Sequence, residues 1–139
     1  MKIIKLRNYA LLSILVFAFV TGCSTVENNN GIKYVEGYYI VNMPYSFDKV
    51  YSSAYQSIKA GETYTSTSGA PYNLVVNKKT NETATLEGIN PNDPRDTIKI
   101  NIKKISDTST SLAIKYGKDG NSMRSSAEVQ IIEGNIKYD

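Results

Sequence analysis

The 139-residue sequence contains no histidine, no tryptophan and a single cysteine, Cys23. Without histidine, Ser-His-Asp and Cys-His nucleophile systems are excluded, because each needs an imidazole base. Zinc sites built from His and Cys fall with them. One cysteine closes no internal disulfide, so the fold must hold by packing alone. No glycine-rich phosphate loop occurs. Acidic residues are missing from positions 1–22, where Lys2, Lys5 and Arg7 lie. Those three carry the whole formal charge of +3, since without them the 16 basic residues fall to 13 and match the 13 acidic ones. A neutral remainder makes no electrostatic case for nucleic acid or for a polybasic membrane patch.

What is present starts with an address. Met1 to Asn8 is basic and Tyr9 to Val20 is apolar. The apolar run is shorter than the roughly 20 residues of a spanning helix and matches the h-region of an export signal. The stretch Val20-Thr21-Gly22-Cys23 follows, and the composition then turns polar. It resembles the lipobox of bacterial lipoproteins. The resemblance implies a diacylglyceryl group on the Cys23 thiolate, cleavage between Gly22 and Cys23, and an acylated new amine. Two or three acyl chains hold a protein on a bilayer essentially permanently, whereas one chain does not. With Ser24 rather than Asp after the cysteine, the enteric sorting rule sends the protein to the periplasmic leaflet of the outer membrane.

The expected organisation is therefore a lipoprotein signal peptide over 1–22, a flexible tether over 23–32 and one α+β domain over 33–139. The tether, with its three successive asparagines, has almost nothing to bury. Lys33 to Val41 reads as a first strand. Ser46 to Ala60 reads as a helix, with Ser46 as N-cap, Gly61 past its end, and Phe47, Val50, Ala54 and Ile58 on the buried side. Glu62 to Pro71 is loop. Tyr72 to Lys79 and Glu82 to Ile89 are strands joined by a turn near Thr80-Asn81, with Tyr72, Leu74 and Val76 sharing one face. Asn90 to Arg95 is a proline-stiffened loop.

The clearest alternation follows. Ile98, Ile100 and Ile102 face inward and Lys99, Asn101 and Lys103 outward. The return strand, Thr110 to Gly117, places Leu112, Ile114 and Tyr116 inward and Lys115 outward. A second helix runs from Ser122 to about Lys137, with Met123, Ala127, Ile131 or Ile132, and Ile136 on its apolar side. Ser125 and Glu128 fit a capping box that would start it later. The fold class is α+β: an antiparallel sheet of four to five strands with two helices on one face, in strand–helix–strand meander–helix order.

Gly37-Tyr38, Asp48-Lys49-Val50-Tyr51 and Ile114-Lys115-Tyr116-Gly117-Lys118-Asp119-Gly120 carry a second resemblance. In this order they resemble a family of small, uncharacterised lipoproteins of Gram-negative bacteria. That resemblance implies an envelope lipoprotein and brings no catalytic residue with it.

Three groups of residues suggest chemistry. Asn90, Asn92, Asp93 and Asp96 crowd one loop, but such residues form turns for local reasons and their spacing fits no calcium loop, so no metal is expected. Glu82, Glu87, Asp93, Asp96 and Asp119 are the carboxylates from which a glycan-active enzyme would draw its pair. Eleven tyrosines, many between Tyr34 and Tyr72, suit an aromatic binding face, but the favoured reading is that they fill strand and helix boundaries with the ring buried and the hydroxyl wet. The reading favoured is a non-enzymatic, lipid-anchored envelope protein serving as an interaction or structural module, with no cofactor beyond the lipid on Cys23. Its partners would be the membrane, through the anchor, and an envelope protein or cell-wall component. Lys99, Lys103 and Lys115 mark the face where such a partner would sit. The alternative is a membrane-tethered, carboxylate-dependent glycan enzyme.

Overall fold

The computed structural model describes residues 31–63 and 72–138. The expected signal segment with Gly22 and Cys23, most of the expected tether, and residues 64–71 of the expected loop lie outside them. Eight elements follow in order: β1 (Lys33–Val35), β2 (Tyr38–Met43), α1 (Phe47–Ala60), β3 (Asn73–Lys79), β4 (Thr83–Asn90), β5 (Asp93–Ser106), β6 (Ser109–Tyr116) and α2 (Ser122–Tyr138). The strands form one antiparallel sheet in the order β1-β2-β6-β5-β4-β3. Strands β4, β5 and β6 of the meander behave as the alternation predicts, β3 does so only as far as Leu74, and the N-terminal hairpin docks against β6. Among the described residues no helix is long and apolar enough to cross a membrane.

The α+β class stands, but the sheet has six strands rather than four or five. The extra strand arises because Lys33–Val41 is a hairpin and not one strand. Glu36 (φ 51°) and Gly37 (φ 81°) both take the left-handed region, as a two-residue primed turn requires. The usual Asn-Gly or Asp-Gly signal is replaced by Glu-Gly, which hides the turn in a run rich in Tyr and Val. Tertiary contact holds it: a Cβ on Gly37 would come within 2.6 Å of the Asp119 carbonyl oxygen, and one on Gly120 would overlap the Gly37 backbone. Two separate pieces of the family-like pattern thus meet at one backbone-to-backbone contact.

Helix α1 forms as its caps dictate. Ser46 accepts a hydrogen bond from the Lys49 N–H, Gly61 adopts the left-handed conformation, and Phe47, Val50, Ser53, Ala54, Ser57 and Ile58 are buried. Helix α2 spans the expected residues, with Ile132 and Ile136 inward as expected, but the rest of its inner face differs. Its N-cap is Asn121, whose side-chain oxygen accepts from the Arg124 N–H, so the helix starts at Ser122 and no Ser125–Glu128 capping box is used. Its inner face is Ser125, Glu128 and Ile132, with Val129 and Ile136 beside them, while Met123 is 69% exposed. Apolar periodicity missed that face because two of its residues are polar.

The core lies between the helices and one side of the sheet, built on Leu86, Ile98, Ile100, Ile102, Leu112, Ile114 and Tyr116 with Val50, Ala54, Ile58 and Ile132 above. Two local irregularities adjust the strand pattern. A bulge between Leu74 and Val76 turns Val76 to the open side, opposite Glu87, and Asn77 to the helix side, where it accepts a 2.9 Å hydrogen bond from the Tyr51 hydroxyl. The proline loop shrinks to a turn at Pro91-Asn92, because β4 reaches Asn90 and β5 begins at Asp93. The Asn90 side chain closes it by accepting from the Asn92 N–H.

Candidate functional site

Two polar regions occupy opposite faces of the same sheet. The first is buried under α2, at the end of β5 and β6. Asp96 receives the Tyr72 hydroxyl at 2.6 Å, Arg124 Nη1 at 2.9 Å and the Asn90 amide at 3.0 Å, while Arg124 Nη2 donates to the Tyr72 hydroxyl. The side chains of Arg124 and Asp96 are 14% and 8% exposed, so the pair is largely desolvated. The guanidinium also lies 4.2 Å from the Tyr116 ring centroid. Deeper in, fully buried Glu128 takes the Tyr116 hydroxyl on Oε2 at 2.9 Å, and Ser57 Oγ lies 2.9 Å from its Oε1. The cluster joins α1, α2, β4, β5 and β6 through side-chain hydrogen bonds. Gly88 makes room for it, because a Cβ there would meet Tyr72 Cβ and Ile98 Cγ2, both at 2.9 Å.

Electrostatics here favour fixed charge states. Burial first, then the Glu128 carboxylate, pushes the Tyr116 hydroxyl well above the ordinary tyrosine value. Tyr72 is raised in the same direction, by burial and by its hydrogen bond to Asp96. Burial works against the charge on Arg124, but the hydrogen bond to Asp96 and the field of Tyr72 and Asp96 outweigh it and hold the guanidinium protonated. A phenol kept neutral and a carboxylate saturated by donors are cross-links between elements.

The second region is the uncovered face. Cross-strand register sets its side chains in rows. One row runs Val35, Tyr38, Lys115, Lys99, Glu87, Val76; the next runs Lys33, Ile40, Ala113, Asn101, Thr85, Lys78. Lys103 stands between Ser111 and Thr83. Lys99 and Lys115 are directly opposed, an arrangement that like charges disfavour. Two neighbours relieve it: Lys99 Nζ is 2.8 Å from Glu87, which raises its pKa, and Lys115 Nζ lies 5.3 Å from the Tyr38 ring centroid. A shallow hollow of about 310 Å³ opens here, with Tyr38, Glu87, Lys99, Lys115 and Lys118 around it.

The structure therefore brings Lys99 and Lys115 together and leaves Lys103 one row away on the same face. It does not assemble the tyrosines. Tyr38 is on the open face, Tyr34 and its cross-strand partner Tyr39 are on the other, Tyr51 and Tyr55 stack on each other at the core margin, and Tyr72 is buried. Of the carboxylates named above, Glu87 is bound to Lys99, Asp93 to Arg95 and Asp96 to Arg124. Glu82 and Asp119 lie in the turns before β4 and α2. No group of three or more metal-ligating residues occurs among the described residues. The buried network escaped sequence reasoning. The one available signal was Glu128 three residues after Ser125 and four before Ile132, a carboxylate on the buried stripe of a helix.

The family described as protein of unknown function (DUF3568) matches residues 5–135, and the chain belongs to it. No curated protein matches the chain.

Proposed function

We propose that the protein is a lipid-anchored envelope lipoprotein whose folded domain is a non-enzymatic interaction module. The observation that carries this is the run from a basic start through a short apolar segment to Val20-Thr21-Gly22-Cys23, after which the polar chain reaches its first strand at Lys33. Cys23 is the lipid attachment point, and the cut falls between Gly22 and Cys23. With Ser24 next, the protein resides on the periplasmic leaflet of the outer membrane. Support from the domain is indirect but specific: its carboxylates serve ion pairs and buried hydrogen bonds, and its one uncovered sheet face holds Lys99, Lys103 and Lys115 for an acidic surface. Cells grown with radiolabelled palmitate should label the protein, and Cys23→Ala should lose both label and membrane retention. A mutant that keeps its label refutes the assignment.

A further inference from the structure

The zero net charge beyond position 22 conceals a segregation that strand alternation produces. Within the rows of the open face stand five lysines, Lys33, Lys78, Lys99, Lys103 and Lys115, against one acid, Glu87. Among the described residues the other acids go to turns, to the helices or to the buried cluster, as Glu36, Glu82, Asp107, Glu128 and Glu133 do, and Asp93 at the start of β5 is paired with Arg95. The lysines are not gathered around a single point. With strands about 4.8 Å apart, Lys33 on β1 and Lys78 on β3 lie about 24 Å apart across the sheet. Between them are Thr, Ser, Asn and aliphatic residues with Tyr38, around the shallow hollow.

We infer that this face docks on an anionic phospholipid bilayer, lying against the headgroups of the membrane that holds the anchor. The inference rests on the lipid-anchor reading above. A spread of cations over a shallow surface matches charge that is itself spread in a plane, as lipid phosphates are. A discrete acidic segment would call for one concentrated groove. Chain length adds a second argument. Nine residues, ten Cα-to-Cα steps, separate Cys23 from Lys33, the first residue of β1 and itself on this face. Such a stretch reaches at most about 35 Å when fully extended, so an anchored domain never leaves the vicinity of the headgroups. Each lysine near an anionic leaflet strengthens partitioning roughly fivefold, and the contribution decays within a Debye length. Orientation, rather than attachment, is what the face supplies.

The test uses the full lipidated protein reconstituted on two vesicle types, phosphatidylcholine alone and phosphatidylcholine with one-third phosphatidylglycerol. Each lysine's rate of reaction with an amine acylating reagent is followed by mass spectrometry. On the anionic vesicles Lys78, Lys99, Lys103 and Lys115 should react at least about threefold more slowly than on the neutral ones, and half-molar salt should remove the difference. Lys49 and Lys59, exposed on α1, should react equally on both. The double variant Lys78→Glu, Lys103→Glu should lose the protection of Lys99 and Lys115 while floating with the vesicles as before. Equal rates on the two vesicles, or protection of Lys49 and Lys59 instead, overturn the inference. So does crosslinking in cells of Lys103 to an acidic protein without protection on vesicles, which gives the face to a protein partner. Failure of the anchor is distinguishable: wild-type protein would then not float with phosphatidylcholine at all. The face is then judged on the anionic vesicles alone, where the same four lysines must be the ones protected.

Discussion

The two faces of this sheet are made by alternate residues of the same strands, and they treat charge in opposite ways. On the helix side, Asp96 and Arg124 sit largely desolvated with Tyr72 and Asn90 at the edge of an open hollow, and Glu128 is sealed beneath Tyr116 and Ser57. On the open side, Glu87 and Lys99 meet at a similar distance, with 34% and 43% of their side chains exposed. Geometry alone would rank the two ion pairs as equals. Solvent separates them. Removing one partner of a desolvated pair strands a charge that water cannot reach, whereas an exposed partner is rehydrated at once. The covered face therefore spends its polar groups on holding α2 in place, and the open face keeps its charges available.

Breaking each pair should expose that contrast. Arg124→Ala leaves the part-buried Asp96 without its cation and should destabilise the domain by about 3 kcal/mol, the low end for a buried pair, read as a lower midpoint in urea unfolding followed by circular dichroism. A loss no greater than that of a surface substitution would mean water reaches Asp96 freely.

Tyr116→Phe deletes one donor to Glu128 and should cost about 1–3 kcal/mol at neutral pH. Its pH dependence is the sharper readout. The folded chain holds the Tyr116 proton well above the ordinary value of 10.0, while the unfolded chain releases it near that value. The stabilisation is thus complete below pH 10 and is lost as pH rises beyond it, at up to about 1.4 kcal/mol per pH unit for each such tyrosine. Tyr72, raised in the same sense, contributes a second slope. The alkaline decline should accordingly become shallower in Tyr116→Phe without vanishing. An unchanged slope would remove Tyr116 from the account.

The smallest effect belongs to the open face. Glu87→Gln removes the partner of Lys99 and should change stability by about 0–1 kcal/mol, with the difference fading at high salt. A larger loss would show that the opposed Lys99 and Lys115 depend on Glu87 for the sheet itself.

Much of this could be read from the order of residues. The i, i+3, i+4 stripe of Phe47, Val50, Ala54 and Ile58 between Ser46 and Gly61 specifies α1 by local chemistry alone. The alternating isoleucines of β5 specify which side of the meander is buried, because a strand's side-chain period is two and a slip of one residue would invert the face. Three features were not legible. The β1–β2 turn has a weak local signal and is set by the packing of Gly37 against Gly120, some 80 residues away along the chain. The bulge at Val75 depends on how β3 registers on β4. The inner face of α2 carries Glu128 because Tyr116 and Ser57 await it, and no periodicity of apolar residues points to a buried carboxylate.

By itself, the sequence determined the things that depend on neighbours along the chain: the helix caps, the strand alternation, the exclusion of imidazole and disulfide chemistry, and the lone Cys23 after its apolar run. Only the tertiary structure decided which charges are buried together, and that Lys33 and Lys78 join on the open surface the three lysines that alternation already places there. Net charge sums over residues without regard to direction, and burial depends on what lies across the fold. Strand pleating sends Lys99, Lys103 and Lys115 to one side and Ile98, Ile100 and Ile102 to the other, and the docking of two helices then makes one side dry.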